Sequence, residues 1–226
     1  MKKIIISLMC AVTVLSGCGN MSNLSKGSLI GGGSGAAIGA GVGALIGEGK
    51  GAAIGAAIGS VVGAGAGAII GNKMDKKAEE LAAIQGASVD TVLDVNNLKS
   101  IKVTFDSGIL FPTNGTVLSD ASKDALKKFA TTMADMPDTD LTIQGHTDNT
   151  GSREVNDRIS LQRAQSVSNY LKSCGMNDDR FTVEGKAYDV PVASNDTADG
   201  RAQNRRVEIY ITANEQMIAE AEKAAN

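Results

Sequence analysis

Residues 141–171 read LTIQGHTDNTGSREVNDRISLQRAQSVSNYL and contain the change of hydrophobic period that decides the fold. Leu141-Thr142-Ile143 alternates apolar and polar side chains, as a strand does. From about residue 153 to 173 the apolar residues take a helical spacing, and Gly175 is a typical helix end. The inward face of this helix is predicted to carry Ile159, Ala164, Val167 and Leu171. The segment therefore predicts a strand, a polar loop and a helix.

The residues before this segment predict a second strand and helix. Alternation over residues 99–106 predicts a strand with Ile101, Val103 and Phe105 on its buried face. A loop with Pro112 and Gly115 follows, and Ser119 and Asp120 are typical of a helix start. The apolar face of that helix is predicted to consist of Leu126, Phe129 and Met133.

Two further strands are predicted after the segment, at residues 181–184 and 207–211. Strands separated by helices of this length indicate helices packed on a mixed sheet. We therefore predict an α/β fold for residues 97–215, an α+β sandwich with a βαβαββ-type sheet packed by two helices. The final residues, Asn214 to Asn226, are predicted to form a charged amphipathic helix, with residues 216–226 as a charged tail beyond the domain.

A glycine recurs at every fourth position from Gly31 to Gly71 without interruption, and the residues between are mostly small or branched apolar ones. Glu48 and Lys50 are the only charges, which predicts a turn between two apolar helices. Glycines four apart leave a stripe along which another backbone can approach. Such packing can compensate the roughly 1 kcal/mol that each helical glycine costs. We predict a glycine-zipper helical hairpin over residues 31–71.

The alternative for residues 31–71 is a flexible Gly/Ala linker. The strict period and the Ile, Val and Leu content argue against it, because a spacer needs neither. Entry of the hairpin into a bilayer, formation of a homo-oligomer, or both, all remain open. Residues 72–96 are predicted to be a polar linker with a short amphipathic helix that ends at Gly86, and their charge run is a solvated face.

The N-terminus has the pattern of an export signal over residues 1–17, with Lys2 and Lys3 before a short apolar run. Leu15-Ser16-Gly17-Cys18 resembles a bacterial lipobox, which implies acylation of Cys18 as the mature N-terminus and a lipidated tether over residues 18–30. Gly19 differs from the aspartate that signals inner-membrane retention in enterobacteria. We expect a lipid anchor in the outer membrane, facing the periplasm.

Charge and composition exclude several classes of protein. The formal net charge is −3 and moves to −5 without Lys2 and Lys3, whereas a nucleic-acid-binding protein is expected to be basic. Cys174 is the one thiol left after Cys18 is acylated and the signal removed, so no intramolecular disulfide is expected. His146 is the only histidine, which argues against a His-based metal or nucleophile site. We expect no metal, no cofactor and no catalysis.

Three polar segments in this order are similar to the OmpA-like peptidoglycan-binding family, which includes the Pal lipoproteins. They are Gly145-His146-Thr147-Asp148-Asn149, the helix pattern from Asn156 to Leu171, and Gly200-Arg201-Ala202-Gln203-Asn204-Arg205-Arg206-Val207-Glu208-Ile209. The similarity extends over about 115 residues. Ile159 stands where leucine is usual, a conservative difference.

This resemblance implies binding of the meso-diaminopimelate side chain of the peptidoglycan stem peptide. The free end of that side chain is a zwitterion, with an ammonium and a carboxylate on one carbon. Asp148 matches the family aspartate that takes the ammonium, and Arg163 matches the arginine that takes the carboxylate. A guanidinium can meet a carboxylate with two parallel hydrogen bonds, which a lysine cannot do.

Helix geometry supports this pairing independently, because Asn156, Ser160 and Arg163 fall on one helical face. Without the motif, an aspartate and an arginine fifteen residues apart would be interpreted as surface charges. Further candidates for the pocket are Asp106, Thr147, Asn149 and Arg205. His146 is interpreted as structural. The three arginines 201, 205 and 206 could instead form a phosphate patch, although we favour anchoring and support of the pocket.

The functional hypothesis is therefore an outer-membrane lipoprotein that binds peptidoglycan non-covalently and anchors the membrane to the cell wall. The alternative is an assembly protein that oligomerises through its zipper and is merely localised by peptidoglycan. A third hypothesis, an enzyme that trims peptidoglycan, would need a nucleophile or a metal for which the sequence offers no candidate.

Overall fold

The computed structural model describes residues 62–112 and 115–226. The predictions for the signal, Cys18, the tether and the zipper up to residue 61 lie outside the described residues. The described elements in chain order are α1 (Ala64–Ala82), β1 (Ala87–Leu93), β2 (Lys99–Asp106), α2 (Ser107–Leu110), α3 (Asp120–Thr132), β3 (Thr139–Gly145), α4 (Arg153–Ser173), a 3-10 turn (Asp178–Arg180), β4 (Phe181–Gly185), α5 (Ala198–Asn204), β5 (Arg206–Ala213) and α6 (Glu215–Ala225).

The strands form a five-stranded sheet in the order β1-β2-β5-β3-β4. The pairing of β3 with β4 is parallel and the other pairings are antiparallel. The predicted mixed sheet is thereby confirmed, as are the bounds of β2 and the helix predicted from about residue 153 to 173. Gly175 has a φ of +95° and directly follows the cap residue of α4, as expected for a glycine that ends a helix.

The hydrophobic core lies between one face of the sheet and the helices. Alternate residues of the central strands β5 and β3 are fully buried there, and Phe105 of β2 meets Phe129 of α3 edge to face, with ring centroids 6.5 Å apart. The other face of β5 carries Arg206, Glu208 and Tyr210, so β5 separates an apolar from a polar side of the sheet. Ile159, predicted to point inward, is only half-buried.

The structure differs from the predicted polar linker over residues 72–96. Helix α1 continues from the last zipper glycines to Ala82, and β1 adds an edge strand to the sheet. Ile70, Met74 and Leu81 are fully buried, so α1 packs on the sheet as a third helix beside the two that were predicted. Charged residues lie between these apolar positions in the sequence, so the apolar face of α1 was not predicted. Lys77 is 4% exposed and donates hydrogen bonds to Asp135 and to the Thr132 carbonyl oxygen.

The C-terminal residues, predicted to be a charged tail, also belong to the packed body. Helix α6 lies against α1 and buries Met217, Ile218 and Ala221. Gly65 permits this approach, because a Cβ there would lie 2.9 Å from the Cβ of Ala225. None of the described helices is long and apolar enough to cross a membrane.

Candidate functional site

Two glycines bring helix α4 unusually close to the ends of β3 and β4. A Cβ at Gly145 would lie 2.0 Å from the Ser160 carbonyl oxygen, and one at Gly185 would lie 2.7 Å from Ser160 Oγ. A side chain at either position would push the helix away. The polar face of α4 predicted from the sequence therefore lies directly beside the loop that follows β3.

Ser160 also ties the two loops after β3 and β4 to the helix. Its Oγ accepts a hydrogen bond of 3.2 Å from the Ala187 N–H. The Ala187 carbonyl oxygen in turn accepts one of 2.8 Å from the Thr147 N–H. These bonds fix the backbone immediately before Asp148.

Asn156 fixes the same loop from its other side. This buried side chain donates through Nδ2 to the carbonyl oxygens of Thr150 and Ser152, at 3.0 and 3.1 Å. The Thr150 N–H donates to Asp148 Oδ1 at 2.8 Å. Asn156 was predicted as a ligand-binding residue, and in the structure its amide group supports the loop that carries Asp148.

The Asp148 side chain is only 10% exposed and pairs with Arg205, whose Nη1 lies 2.6 Å from Asp148 Oδ2. Burial by itself raises the pKa of this carboxyl, but the hydrogen bonds from Arg205 and Thr150 outweigh burial and leave the pKa below its ordinary value. Asp148 is therefore ionised at neutral pH and can hold a cation.

The Arg163 guanidinium lies in a fixed position near Asp148. Its Nε donates to the Gly115 carbonyl oxygen at 3.1 Å, and its Cζ lies 5.3 Å from the centroid of the Phe111 ring. Its two terminal nitrogens donate to none of the residues that the structure describes. Burial lowers the pKa of Arg163, the charge of Arg205 lowers it further, and the charge of Asp148 opposes both. The planar terminal edge of a guanidinium has the geometry to bind a carboxylate with two parallel hydrogen bonds.

Of the remaining predicted site residues, Thr147 and Asn149 flank Asp148 in the same loop, and Asp106 lies on another element. Asp106 is at the end of β2 on the polar side of the sheet, where it borders a cavity of about 500 Å³ together with Lys102 and Glu208. Thr147 is buried, and Asn149 is exposed with its N–H 3.4 Å from Asn195 Oδ1. The structure thus brings Asp148, Arg163 and Arg205 together, supported by Asn156, whereas the Asp106 carboxylate accepts a hydrogen bond from the Gly108 N–H.

The three arginines near residue 200 point to three different partners, so they do not share one patch. Arg201 donates to the Asn195 carbonyl oxygen, Arg205 to Asp148, and Arg206 to Glu208. His146 is 1% exposed with its Nε2 3.4 Å from Glu208 Oε2, and burial lowers its pKa, which agrees with the structural interpretation.

Sequence reasoning missed three residues that shape the site, namely Phe111, Gly115 and Ala187. The loop with Pro112 and Gly115 was predicted as a loop. Its contact with α4 could not be predicted, because Gly115 and Arg163 are forty-eight positions apart and no periodic pattern links them. Ala187 has a φ of +43°, a conformation for which glycine or asparagine would have been the usual signal.

The comparison with protein families agrees with the order of these elements. The OmpA family matches residues 110–205, which contain the loop with Gly115, the loop with Asp148, helix α4 and Arg205. This match covers less than half of the chain. The YMGG-like Gly-zipper family matches residues 1–75, which include the glycine repeat.

Curated proteins are similar to about half of this chain. The peptidoglycan-binding protein ArfA of Mycobacterium tuberculosis is 42% identical over 103 residues, which are 46% of this chain and 32% of ArfA. The outer-membrane lipoprotein YfiB of Pseudomonas aeruginosa is 36% identical over 107 residues, which are 47% of this chain and 64% of YfiB. The chain thus spans less than two thirds of the length of either relative.

Among solved structures, the cell wall anchor of the T6SS from Pseudomonas aeruginosa is similar with a TM-score of 0.53 and 28% identity. The match covers 62% of this chain and 96% of that one. Among the residues that the structure describes, no group of three or more His, Cys, Asp or Glu side chains could hold a metal ion.

Proposed function

We propose that this chain is an outer-membrane lipoprotein that faces the periplasm and anchors the membrane to the cell wall by binding peptidoglycan non-covalently. The ligand is the zwitterionic end of diaminopimelate in the stem peptide. The single observation that carries the proposal is an ionised Asp148 near an Arg163 whose terminal nitrogens donate to none of the described residues. The names of ArfA, YfiB and the T6SS cell wall anchor support the same function.

The geometry favours a zwitterion over a singly charged ligand. Asp148 can accept an ammonium, and Arg163 can donate two parallel hydrogen bonds to a carboxylate. Gly115 and Phe111 hold Arg163, while Thr150 and Asn156 hold the loop with Asp148, so little ordering is needed on binding. The function is binding, and we assign no catalytic step to the site.

Sacculus pull-down with the full chain tests this function. Asp148→Ala and Arg163→Ala each leave one ligand charge unpaired, which costs roughly 2–5 kcal/mol of binding free energy. That corresponds to about thirty-fold or more in affinity. Arg163→Lys should bind almost as weakly as Arg163→Ala, because an ammonium cannot donate the two parallel hydrogen bonds of a guanidinium.

The matched control is Arg153→Ala, in the same helix, whose exposed guanidinium pairs with Asp157 and Asp189. This variant should bind sacculi like the wild type. Full binding by well-folded Asp148→Ala and Arg163→Ala variants would exclude this pocket.

We propose further that Cys18 is acylated and holds the chain in the outer membrane, in line with the lipobox pattern and the lipoprotein YfiB. Metabolic labelling with an alkynyl fatty acid should mark the wild type and not Cys18→Ala. Equal labelling of both proteins would contradict lipidation at this position.

A second candidate function is assembly through the glycine zipper. It is favoured by α1, which is one continuous helix from the last zipper glycines into the domain and would link zipper contacts directly to the sheet. Leucine at Gly39, Gly43, Gly55 and Gly59 should remove any homo-oligomer without changing sacculus binding. An unchanged oligomer pattern in membranes would count against assembly through the zipper.

A further inference from the structure

We propose that Arg205 is an internal competitor for the ligand's ammonium and that it thereby sets the selectivity of the site for zwitterions over simple amines. This inference rests on the proposed function, because it concerns the same pocket. On binding, the ammonium replaces Arg205 at Asp148, and the released guanidinium joins Arg163 on the ligand's carboxylate.

Both oxygens of the Asp148 carboxylate accept hydrogen bonds. Oδ1 accepts from the Thr150 N–H at 2.8 Å, and Oδ2 accepts from Arg205 at 2.6 Å. Since the Asp148 side chain is only 10% exposed, an incoming cation must share or replace the contact that Arg205 makes. Arg205 therefore sets how readily a cation can enter.

The two arginines are held very differently. Arg163 is 5% exposed and is held by the Gly115 carbonyl oxygen and the Phe111 ring. The Arg205 side chain is 42% exposed, and its only side-chain hydrogen bond to the described residues is the one to Asp148. Arg205 is thus the member of the cluster that can turn without breaking other contacts.

Charge balance favours a zwitterion over a simple amine. Asp148 lies 2.6 Å from Arg205, and the charges of both residues act on Arg163, where Arg205 lowers the pKa and Asp148 raises it. An amine that displaces Arg205 leaves two neighbouring cations without an anion, which opposes its binding. A zwitterion brings a carboxylate for the pair at the same time. A plain carboxylate can bind both arginines while Arg205 stays near Asp148.

The test uses three probes of similar chain length on the detergent-solubilised full chain: meso-diaminopimelate, pimelate, which lacks the amines, and cadaverine, which lacks the carboxylates. Calorimetry should rank the wild type as diaminopimelate, then pimelate, then cadaverine. Arg205→Gln should bind cadaverine about tenfold more tightly and pimelate about tenfold more weakly than the wild type. The ratio of the two affinities should therefore change about a hundredfold.

Arg201→Gln is the matched control, since it removes the same charge from α5 at a residue that contacts the Asn195 carbonyl oxygen and not Asp148. Its affinity ratio should stay within threefold of the wild type. Arg205→Lys keeps a cation for Asp148 and should leave cadaverine binding as weak as in the wild type. Thermal melts check that every variant is folded.

The outcomes separate the two proposals. A wild type that binds none of the three probes and no sacculi would overturn both the proposed function and this inference. A wild type that binds diaminopimelate, with an affinity ratio that Arg205→Gln does not change, would overturn only the role of Arg205. An equal change in Arg201→Gln would also overturn it, because the effect would then be general electrostatics.

Discussion

Arg205 and Arg206 are neighbours in sequence, yet they pair with different carboxylates and differ sharply in exposure. Arg205 pairs with Asp148, and the two side chains are 42% and 10% exposed. Arg206 pairs with Glu208, and the two side chains are 3% and 4% exposed. In the first pair the Arg205 side chain is partly exposed and makes one side-chain hydrogen bond to the described residues, whereas both side chains of the second pair are buried.

The two pairs also differ in the number of hydrogen bonds that their side chains make. Arg206 donates to Glu208, to the Asn204 carbonyl oxygen and to the Val190 carbonyl oxygen. Glu208 accepts a further bond of 2.8 Å from the Tyr210 hydroxyl. Burial raises the pKa of Glu208, but His146 and Arg206 outweigh it and hold the pKa well below its ordinary range. Removing one partner of the buried pair leaves an uncompensated buried charge, whereas the half-exposed pair can exchange with a ligand.

Breaking the closed pair should have the largest effect on stability. Arg206→Ala leaves Glu208 buried without its cation, which should lower the free energy of unfolding by roughly 3–5 kcal/mol. Urea unfolding followed by circular dichroism measures this loss. A loss below about 1 kcal/mol would show that Glu208 is solvated well enough to do without Arg206.

Asp94 is a buried carboxylate with no cationic partner among the described residues, and its contribution to stability should fall as the pH rises. Asp94 accepts hydrogen bonds from the N–H groups of Asn96 and Leu98, and burial, only partly offset by these bonds, raises its pKa from 3.8 to about 6. The folded state then binds the proton more tightly than the unfolded state, so the contribution of Asp94 to stability is greatest below pH 4 and is lost as the pH rises through 6.

Asp94→Asn removes this titration and keeps an oxygen acceptor for the turn. From pH 4 to pH 7.5 the variant should gain up to about 3 kcal/mol in unfolding free energy relative to the wild type. Chemical unfolding at both pH values measures the difference. A constant difference would mean that Asp94 has an ordinary pKa in the folded protein.

The exposed pair should contribute least to stability. Arg205→Ala should lower the free energy of unfolding by less than about 1 kcal/mol, because Arg205 is 42% exposed and Asp148 keeps its bond from Thr150. The same urea experiment compares it directly with Arg206→Ala. Equal losses in the two variants would remove the distinction between a structural and an exchangeable pair.

Much of the fold could be predicted because its central elements carry strong local signals. Strand β2 and helix α4 have clean hydrophobic periods and clear ends, and their predicted bounds agree with the structure. Helix α1, strand β1 and helix α6 were not assigned to the domain, because their apolar residues are few and lie among charged ones. Their packing depends on contacts with each other and with the sheet, which no local pattern encodes.

The candidate site divides in the same way. The motif around Asp148 and the helical spacing of Asn156, Ser160 and Arg163 could be recognised from the sequence, because residue type and spacing determine which side chains share a helical face. The tertiary structure decided that Arg205 bonds to Asp148, that Asn156 supports the loop and that Asp106 lies on the polar side of the sheet. These placements depend on the close approach of α4 at Gly145 and on the alternation of side chains along β2 and β5. Both arise only when distant segments pack together. The sequence therefore determined the charge of each site residue, and the tertiary structure decided which partner it contacts.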